Sequence, residues 1–336
     1  MSCILYGVGD SKNKLILRPL FFLGILSFFN MDSFYTPAGL EQLTMFLSAI
    51  LFVYHFHDKI GRYDINDMIF FMQCSLFIQC AVVGMNYFGV NPFNFGILID
   101  RPVGALGQES LSAALIAVLS PSLLYKSSKK WLLVPFIALL LLNTTFGILS
   151  FLGGILFYLG YKRLYPCVLY TVIGLCFVFL FLIGINLDGV EFFNDKGRFD
   201  LWLEVLRNFK EWDLSSQLFG RGLGYVWHNF THVTDIDNKP FRYFHNEYLE
   251  LLYAFGSVGV FLVGWMMKPL LKVKFDEQSA ILLSIIFAII INSAGNFTLH
   301  IAPIGLIFLI VYSCLITKTL EGKDYGNNCN EISSDS

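Results

Sequence analysis

The stretch WLLVPFIALLLLNTTFGILSFLGGILFYLG, residues 131–160, decides how often the chain turns back on itself. It is apolar throughout except at Asn143, Thr144 and Thr145 near its middle. A helix that crosses a lipid bilayer needs about 20 apolar residues, so this stretch could be one long bent helix or two short ones. The choice matters because one span fewer reverses the side of the membrane reached by everything that follows.

The composition of the whole chain makes such spans the expected structure. Of 336 residues, 56% are hydrophobic and only 14% are charged, whereas soluble domains carry about 25% charged residues. The 35 Phe and 16 Tyr add aromatic side chains of the kind that gather at membrane boundaries. We predict an all-α polytopic membrane protein embedded in a lipid bilayer. The net charge of −2 gives no basic field for nucleic acid.

Ten apolar runs are candidate transmembrane helices. They cover about 15–30, 39–57, 67–88, 103–125, 131–144, 146–160, 166–187, 245–267, 279–297 and 300–317. With the N-terminus inside, the short outer connections carry Arg101 as their only Lys or Arg, as the positive-inside rule favours. A single span over 131–160 would instead put the lysines between Lys268 and Lys274 outside. This pattern favours two spans there, ten in all, and cytoplasmic termini.

The spans divide the chain into four parts. We predict an N-terminal transmembrane bundle (1–187), one large extracytoplasmic loop (188–244), C-terminal transmembrane helices (245–317) and a disordered cytoplasmic tail (318–336). A loop of this length in a compact protein is usually functional.

The loop begins with an amphipathic segment, GRFDLWLEVLRNFKEW, residues 197–212. Its apolar residues recur at spacings of three and four, which predicts a helix; they are Phe199, Trp202, Leu203, Leu206 and Phe209. We expect this helix to lie flat on the outer leaflet, with Trp202 and Trp212 at the headgroup level. An amphipathic cover without chemistry is the alternative.

A glycine-rich turn follows, FGRGLGYVW, residues 219–227. Glycines allow the backbone to approach a ligand closely. Such a turn can hold an anion through its N–H groups together with the guanidinium of Arg221. We therefore name Gly222 and Gly224 as candidate cavity residues.

The stretch FHNEYLELLYAFGSVGV, residues 244–260, leads from the loop back into the membrane. His245 is expected at the point where the chain re-enters the membrane, and a histidine can exchange a proton near neutral pH. Glu247 and Glu250 follow on the first helical turn, where a helix N-terminus favours carboxylates. Gly256 and Gly259 would let a neighbouring helix approach closely.

Polar residues inside other spans are further candidates. Glu109 is expected two turns into the fourth span, where a carboxylate suggests a functional site, and Arg101 would line the same cavity. A polar contact with another helix would also explain Glu109. Asn292, Asn296 and His300 recur every four residues and could form a polar wall of that cavity or cap two helices.

Metal binding is not expected from the sequence. His228 and His232 are spaced for a shared helix face, and Asp235 and Asp237 follow them. The surrounding residues are typical of a loop, and no third ligand has a compelling spacing. We therefore predict neither a metal nor another cofactor.

Taken in order, these motifs resemble the O-antigen ligase/polymerase superfamily. The resemblance is carried by GRFDLW (197–202), FGRGLGYVW (219–227) and HNEYLELLYAFGSVGV (245–260), with a weaker match in RPVGALGQESLSAALIAVL (101–119). The chain departs from the family in having TTFG (144–147) where a Ser-Arg pair is frequent, and Gln108 and Glu109 where Asn is frequent.

The resemblance implies a bacterial inner-membrane enzyme with its active site facing the periplasm. Such enzymes move a glycan from a polyprenyl diphosphate carrier to an acceptor hydroxyl on lipid A core, on another glycan or on a protein. His245 would be the catalytic base, with Glu247 or Glu250 orienting it or sharing that role.

The resemblance also implies how the diphosphate is bound. Arg198 and Arg221 would bind it first, then Arg101 and Arg242, beside a cavity that includes Glu109, Gly222 and Gly224. A transporter or flippase, and a structural or sensory membrane protein, are the alternative classes.

Overall fold

The computed structural model describes residues 44, 47, 48, 51, 64–93, 102–161, 198–222, 244–273, 276–296 and 298–332. All regular elements in these ranges are helical. The predicted spans at 15–30 and 166–187 lie outside them, and of the predicted span at 39–57 only residues 44, 47, 48 and 51, all helical, lie inside. Several named residues also lie outside: Arg101, Gly224, His228, His232 and Arg242.

Nine α-helices are defined in the described ranges. They are α1 (Ile65–Tyr87), α2 (Glu109–Leu119), α3 (Leu133–Leu142), α4 (Thr145–Tyr161), α5 (Arg198–Glu211), α6 (Leu214–Phe219), α7 (Glu247–Met267), α8 (Glu277–Ser293) and α9 (Ala302–Ile332). Short 3-10 turns occupy Ser120–Leu124, Lys129–Leu132, Lys268–Lys272 and Thr298–His300.

Three of the described helices are long and apolar enough to cross a membrane. They cover Ile65–Tyr87, Glu247–Lys272 and Ala302–Thr319. The apolar helices at Glu109–Leu124, Thr145–Tyr161 and Glu277–Ser293 are shorter. The described part of the chain is therefore an all-helical protein with three candidate membrane spans, whereas ten spans remain a prediction.

Helices α2 and α8 form the centre of the bundle. Residues 112–119 of α2 and 279–289 of α8 are buried continuously. Helix α4 packs against α8 with Gly154 close to Ala288, and the Ser150 hydroxyl donates a 2.7 Å hydrogen bond to the Ala288 carbonyl. Outer helices instead expose large apolar side chains such as Phe71 and Phe261, as lipid contact requires.

Residues 131–160 form two helices rather than one. Helix α3 ends at Leu142, and Asn143 adopts the left-handed conformation (φ 48°, ψ 50°) that terminates many helices. The chain then reverses, and this brings the rings of Phe136 in α3 and Phe151 in α4 together with centroids 5.8 Å apart. With 10 residues, α3 is about 15 Å long, so it is shorter than the predicted span at 131–144.

The two ends of the bundle differ in charge. One end, here called the lysine end, holds the start of α8 and the end of α2, where Gln278 contacts Tyr125, and Lys318 binds Asp276 at 2.8 Å. The lysines of this end are Lys126, Lys129, Lys130, Lys268, Lys272 and Lys318. The opposite end, the histidine end, holds the starts of α2, α4, α7 and α9 and the ends of α1 and α8.

Two boundaries differ from the predictions. Helix α9 continues to Ile332, past the start of the predicted disordered tail at residue 318. Helix α2 begins at Glu109 rather than near residue 103, because residues 102–108 form turns in which Gly104 and Gly107 have positive φ.

Candidate functional site

A histidine between two carboxylates lies at the histidine end. The Glu247 Oε1 atom accepts from the backbone N–H of Leu299 at 2.6 Å and lies 3.1 Å from His300 Nδ1. The Glu250 Oε2 atom lies 3.6 Å from His300 Nε2. Glu247, His300 and Glu250 are called the Glu–His–Glu cluster below.

The start of α7 sets this geometry. Asn246 caps the helix, because its side-chain oxygen accepts from the N–H groups of Tyr248 at 3.0 Å and Leu249 at 3.2 Å. The cap makes Glu247 the first helical residue and puts Glu250, three residues later, on the same face. The Asn246 amide also donates to the Ala294 carbonyl at 3.0 Å, which joins α7 to the turn after α8.

The cluster is largely shielded from water. Glu250 is only 5% exposed, and burying an ionised carboxylate without a partner is costly. An imidazole between two carboxylates reduces that cost when it carries a proton. The cluster can therefore hold a proton at the boundary between protein and solvent.

His245 is held in an unusual backbone conformation beside this cluster. Its φ of 53° lies in the left-handed region, which non-glycine residues seldom adopt. The preceding residue is held from two sides: the Phe244 N–H donates to Glu250 Oε1 at 2.9 Å, and the Phe244 carbonyl accepts from Trp202 Nε1 at 2.6 Å. A strained residue persists only where its surroundings determine it, so Glu250 and Trp202 define where His245 lies.

Arg198 reaches the same region from α5. Its Nη1 atom donates to the Gly295 carbonyl at 2.9 Å, and Gly295 belongs to the turn that ends in His300. A side chain at Gly295 would overlap the ring of Phe146. The structure therefore brings predicted residues Arg198, Glu247 and Glu250 to one turn.

Arg221 is placed against a break in α7. Gly256 interrupts that helix with φ 65° and ψ −168°, so the carbonyls just before it need other partners. The N–H groups of Arg221 and Gly222 donate to the Tyr253 and Ala254 carbonyls at 2.8 and 3.1 Å. These N–H groups thus bond the helix, and an anion-binding role here rests on the Arg221 guanidinium, 4.5 Å above the Trp212 ring.

The apolar face of α5 differs from the prediction. Among the side chains of α5 that the structure describes, the buried ones are Leu201, Trp202 and Val205, and they pack with Trp212, Phe244 and Tyr253. Leu203 and Leu206, assigned to the same stripe, are exposed. Because the two tryptophans are buried in protein, their predicted headgroup position is wrong. The three-and-four spacing predicted the helix correctly, but it did not predict which apolar residues of the helix pack against protein.

The polar residues after α8 have two different roles. Asn292 Oδ1 accepts from the Asn296 amide at 3.2 Å and from the Thr298 hydroxyl at 2.9 Å, and all three residues are buried. They brace the turn internally, whereas His300 leaves it to contact α7. The four-residue repeat signalled a polar region, but it did not identify His300 as the member that meets the carboxylates.

Glu109 lies on the first turn of α2 rather than two turns inside a span. A carboxylate is favourable at that position because of the helix dipole. The spacing that connected Glu109 with Arg101 assumed a continuous helix, which residues 102–108 do not form.

Within the described ranges, no group of three or more His, Cys, Asp and Glu side chains could hold a metal ion.

No protein-family model matches the chain, and no curated protein matches it. The family resemblance therefore rests on the motifs of residues 101–260 alone.

Proposed function

We propose that this protein is a membrane glycosyltransfer enzyme of the O-antigen ligase or polymerase type. It moves a glycan from a polyprenyl diphosphate carrier to an acceptor hydroxyl. The main supporting observation is that the Glu–His–Glu cluster fixes the backbone before His245 at the turn that Arg198 also contacts. The chemistry needs a base and a cationic group near each other, and this turn gathers candidates for both.

The proposed reaction is a displacement at the anomeric carbon of the donor sugar. The acceptor oxygen forms a bond to that carbon while His245 takes the hydroxyl proton. The bond from the anomeric carbon to the diphosphate oxygen breaks, and its electron pair leaves with the lipid diphosphate. His245 then returns the proton to water. Glu247 and Glu250 act by holding the base and its surroundings in place.

The departing diphosphate needs fixed positive charge. Arg198 and Arg221 are proposed to supply it, because a guanidinium can form two parallel hydrogen bonds to phosphate oxygens. Arg101 and Arg242 remain proposed further contacts.

The carrier lipid needs an apolar path to this site. Helices α5 and α6 expose Leu203, Leu206, Leu214, Leu218 and Phe219. Such a surface suits the polyprenyl chain as it approaches from the bilayer. Gly222, at the end of this segment, borders the proposed path.

The histidine end is proposed to face the periplasm. The gathering of lysines at the opposite end supports this orientation, because cytoplasmic connections carry an excess of Lys and Arg. The acceptor, whether lipid A core or another glycan, would then meet the carrier outside the cytoplasm.

The test is a surface-glycan gel of a host in which the gene is deleted and then restored as wild type or as His245→Ala. We expect wild type to restore the glycan and His245→Ala to fail while reaching the membrane at normal level. Glu277→Gln, at the lysine end, is the matched control and should restore it. Normal glycan with His245→Ala would contradict the base assignment.

The same gel separates the two activities. Carrier-linked polymer that accumulates without reaching lipid A core identifies a ligase. A single repeat unit on the core identifies a polymerase. An unchanged ladder after deletion contradicts this proposal for the glycan that the gel detects.

A flippase is the second candidate, and the break of α7 at Gly256 favours it, because transporters use interrupted helices. A flippase defect would leave the carrier-linked glycan on the cytoplasmic side, where an externally added glycosidase does not reach it. A transferase defect would leave that glycan outside.

A further inference from the structure

We propose that His300 is a positioning residue that controls, through Glu250, the backbone conformation of the His245 segment. The inference deepens the proposed function, because it explains how the proposed base would be held in place. It assigns a role to a histidine that lies 55 positions further along the chain.

The connection consists of two contacts. His300 Nε2 faces Glu250 Oε2 at 3.6 Å, and the other oxygen of that carboxylate accepts from the Phe244 N–H at 2.9 Å. Phe244 directly precedes His245, whose φ is 53°. A change in the position of Glu250 therefore acts on the peptide group before the strained residue.

His300 is itself held firmly from its other side. Glu247 Oε1 contacts His300 Nδ1 at 3.1 Å and accepts from the His300 backbone N–H at 3.3 Å. The ring is thus oriented by Glu247 and directed at Glu250. Because the two contacts use the two ring nitrogens, the protonated imidazole directs an N–H at each carboxylate, whereas the neutral ring has only one N–H; at 3.6 Å the contact with Glu250 is an ion pair and not a hydrogen bond.

The charged groups around His300 come from three directions. Helix α7 contributes Glu247 and Glu250, which lie 3.1 and 3.6 Å from the two ring nitrogens. Helix α5 contributes Arg198, bound to the nearby Gly295 carbonyl. The described end of α8 contributes the neutral Asn292 and Asn296. Both ring nitrogens face carboxylates, so protonation of His300 strengthens the cluster.

Loss of the His300 proton leaves Glu250 and Glu247 facing a neutral ring. The attraction that holds Glu250 then weakens, and so does its hold on the Phe244 N–H. We expect His245 to leave its left-handed conformation more often as the pH rises through the titration of His300. The kcat of transfer should fall by a larger factor than the donor KM rises, because the base and not the donor is displaced.

The test is nitrogen-15 NMR of the full-length protein in lipid nanodiscs, with histidine labelled selectively. The chain has six histidines, and His300→Gln and His245→Gln assign the two signals of interest. We expect Glu250→Gln and Glu247→Gln each to move the His300 titration midpoint to lower pH. The His245 signal should follow the His300 midpoint in wild type and lose that dependence in His300→Gln. Glu277→Gln is the control that should change neither.

A His245 signal that ignores both His300→Gln and Glu250→Gln would overturn the inference. The Glu250→Gln arm keeps His300 in place and retains an acceptor for Phe244, so it answers the question even if His300→Gln fails to fold.

The pH profile of transfer supplies a second measurement. In the glycan assay, His300→Gln should lower transfer at every pH to about the level that wild type reaches at high pH, so the fall of activity with rising pH disappears, which a purely structural role would not do. An unchanged high-pH limb would contradict the positioning role.

The two proposals can fail separately. Coupled histidine signals in a protein whose His245→Ala variant still assembles glycan would support the positioning link and contradict the transfer role. Uncoupled signals together with glycan loss in His245→Ala would do the reverse.

Discussion

At the residue scale, Arg221 contributes both a backbone hydrogen bond and a planar guanidinium, and only the second is lost in a lysine. Its guanidinium stacks 4.5 Å above Trp212, and its backbone N–H bonds a carbonyl before the break in α7. The stacked position leaves a planar fork of donors in a fixed orientation, which suits a diphosphate.

We predict that Arg221→Lys reduces transfer by roughly tenfold or more while changing stability little. A lysine keeps the charge but loses the paired phosphate contacts, whereas the loss of stacking on Trp212 costs only about 0.5–1 kcal/mol. Donor KM and kcat in membranes, together with thermal unfolding in detergent, measure the two effects. Arg207→Lys, on the exposed side of α5, is the matched control. Equal activity of both variants would remove Arg221 from the phosphate role.

The sequence predicted several members of the site but not how they meet. His245, Glu247 and Arg198 stand out because ionisable residues beside apolar runs are unusual. The contact of Glu247 and Glu250 with His300 joins positions some 50 residues apart. It depends on how α8 and α9 pack beside α7, which no local pattern records.

At the element scale, the break in α7 is where α6 packs. The positive φ of Gly256 opens the helix, and the turn at Gly220 packs against the Ala254 carbonyl. The Ser257 hydroxyl donates to the Gln217 carbonyl at 3.1 Å on the other side of the break. Helix α6 and the turn after it therefore satisfy backbone groups that an interrupted helix leaves without partners.

We predict that Gly256→Ala destabilises the protein by about 1–3 kcal/mol. An alanine Cβ would overlap the Leu218 carbonyl, and φ 65° strains any side-chain-bearing residue. Thermal unfolding in detergent measures the loss, and protease cleavage within α6 should become faster.

Gly264→Ala is the control for that measurement. It lies on the same helix, and its added Cβ meets no atom within 4 Å. Similar melting of the two variants would mean that α6 does not depend on the break.

The start of α8 predicts a response to acid. Burial alone raises the pKa of Asp276, but hydrogen bonds from Lys318 and from the Ser279 N–H outweigh it, so the pKa lies below its ordinary value of 3.8. The contribution of Asp276 to stability is therefore present above pH 3.8 and is lost as the pH falls below that value.

We predict that Asp276→Asn flattens this acid-dependent loss by less than about 1 kcal/mol, because the site is partly exposed. Thermal unfolding in detergent between neutral pH and about pH 2 measures it, because the loss continues below the folded-state pKa. Asp67→Asn, an exposed carboxylate near the start of α1, is the control. An unchanged slope in Asp276→Asn would show that this contact contributes nothing to acid sensitivity.

At the scale of the whole molecule, the lengths of the apolar runs predicted where helices lie. They did not predict whether lipid or protein surrounds each helix. Asn143 and the two threonines after it correctly indicated a break, because a left-handed residue ends α3. The same method overestimated the length of the fourth span and misplaced Trp202. An apolar run signals burial, but it does not distinguish burial in lipid from burial in protein, and α2 and α8 are enclosed by other helices.

The direction of the helices leads to the final prediction, which concerns the sides of the membrane. In a variant without the seven native cysteines, we introduce Val90→Cys and Asn143→Cys at the histidine end and Ser128→Cys and Leu271→Cys at the lysine end; all four positions are exposed. A membrane-impermeant maleimide should label the first pair in intact spheroplasts and the second pair only after permeabilisation. The reason is that α3 leads from the lysine end to the histidine end and α4 leads back, so the lysines before α3 and after α7 lie on the same side of the membrane.

Each alternative topology gives its own labelling pattern. If 131–160 crossed once, Ser128 and Leu271 would react from opposite sides. If α3 and α4 entered and left on the cytoplasmic side without crossing, the label at Asn143 would stay protected while that at Val90 reacted. The 10-residue length of α3 makes Asn143 the deciding position, because a helix of about 15 Å is shorter than a hydrocarbon core of about 30 Å.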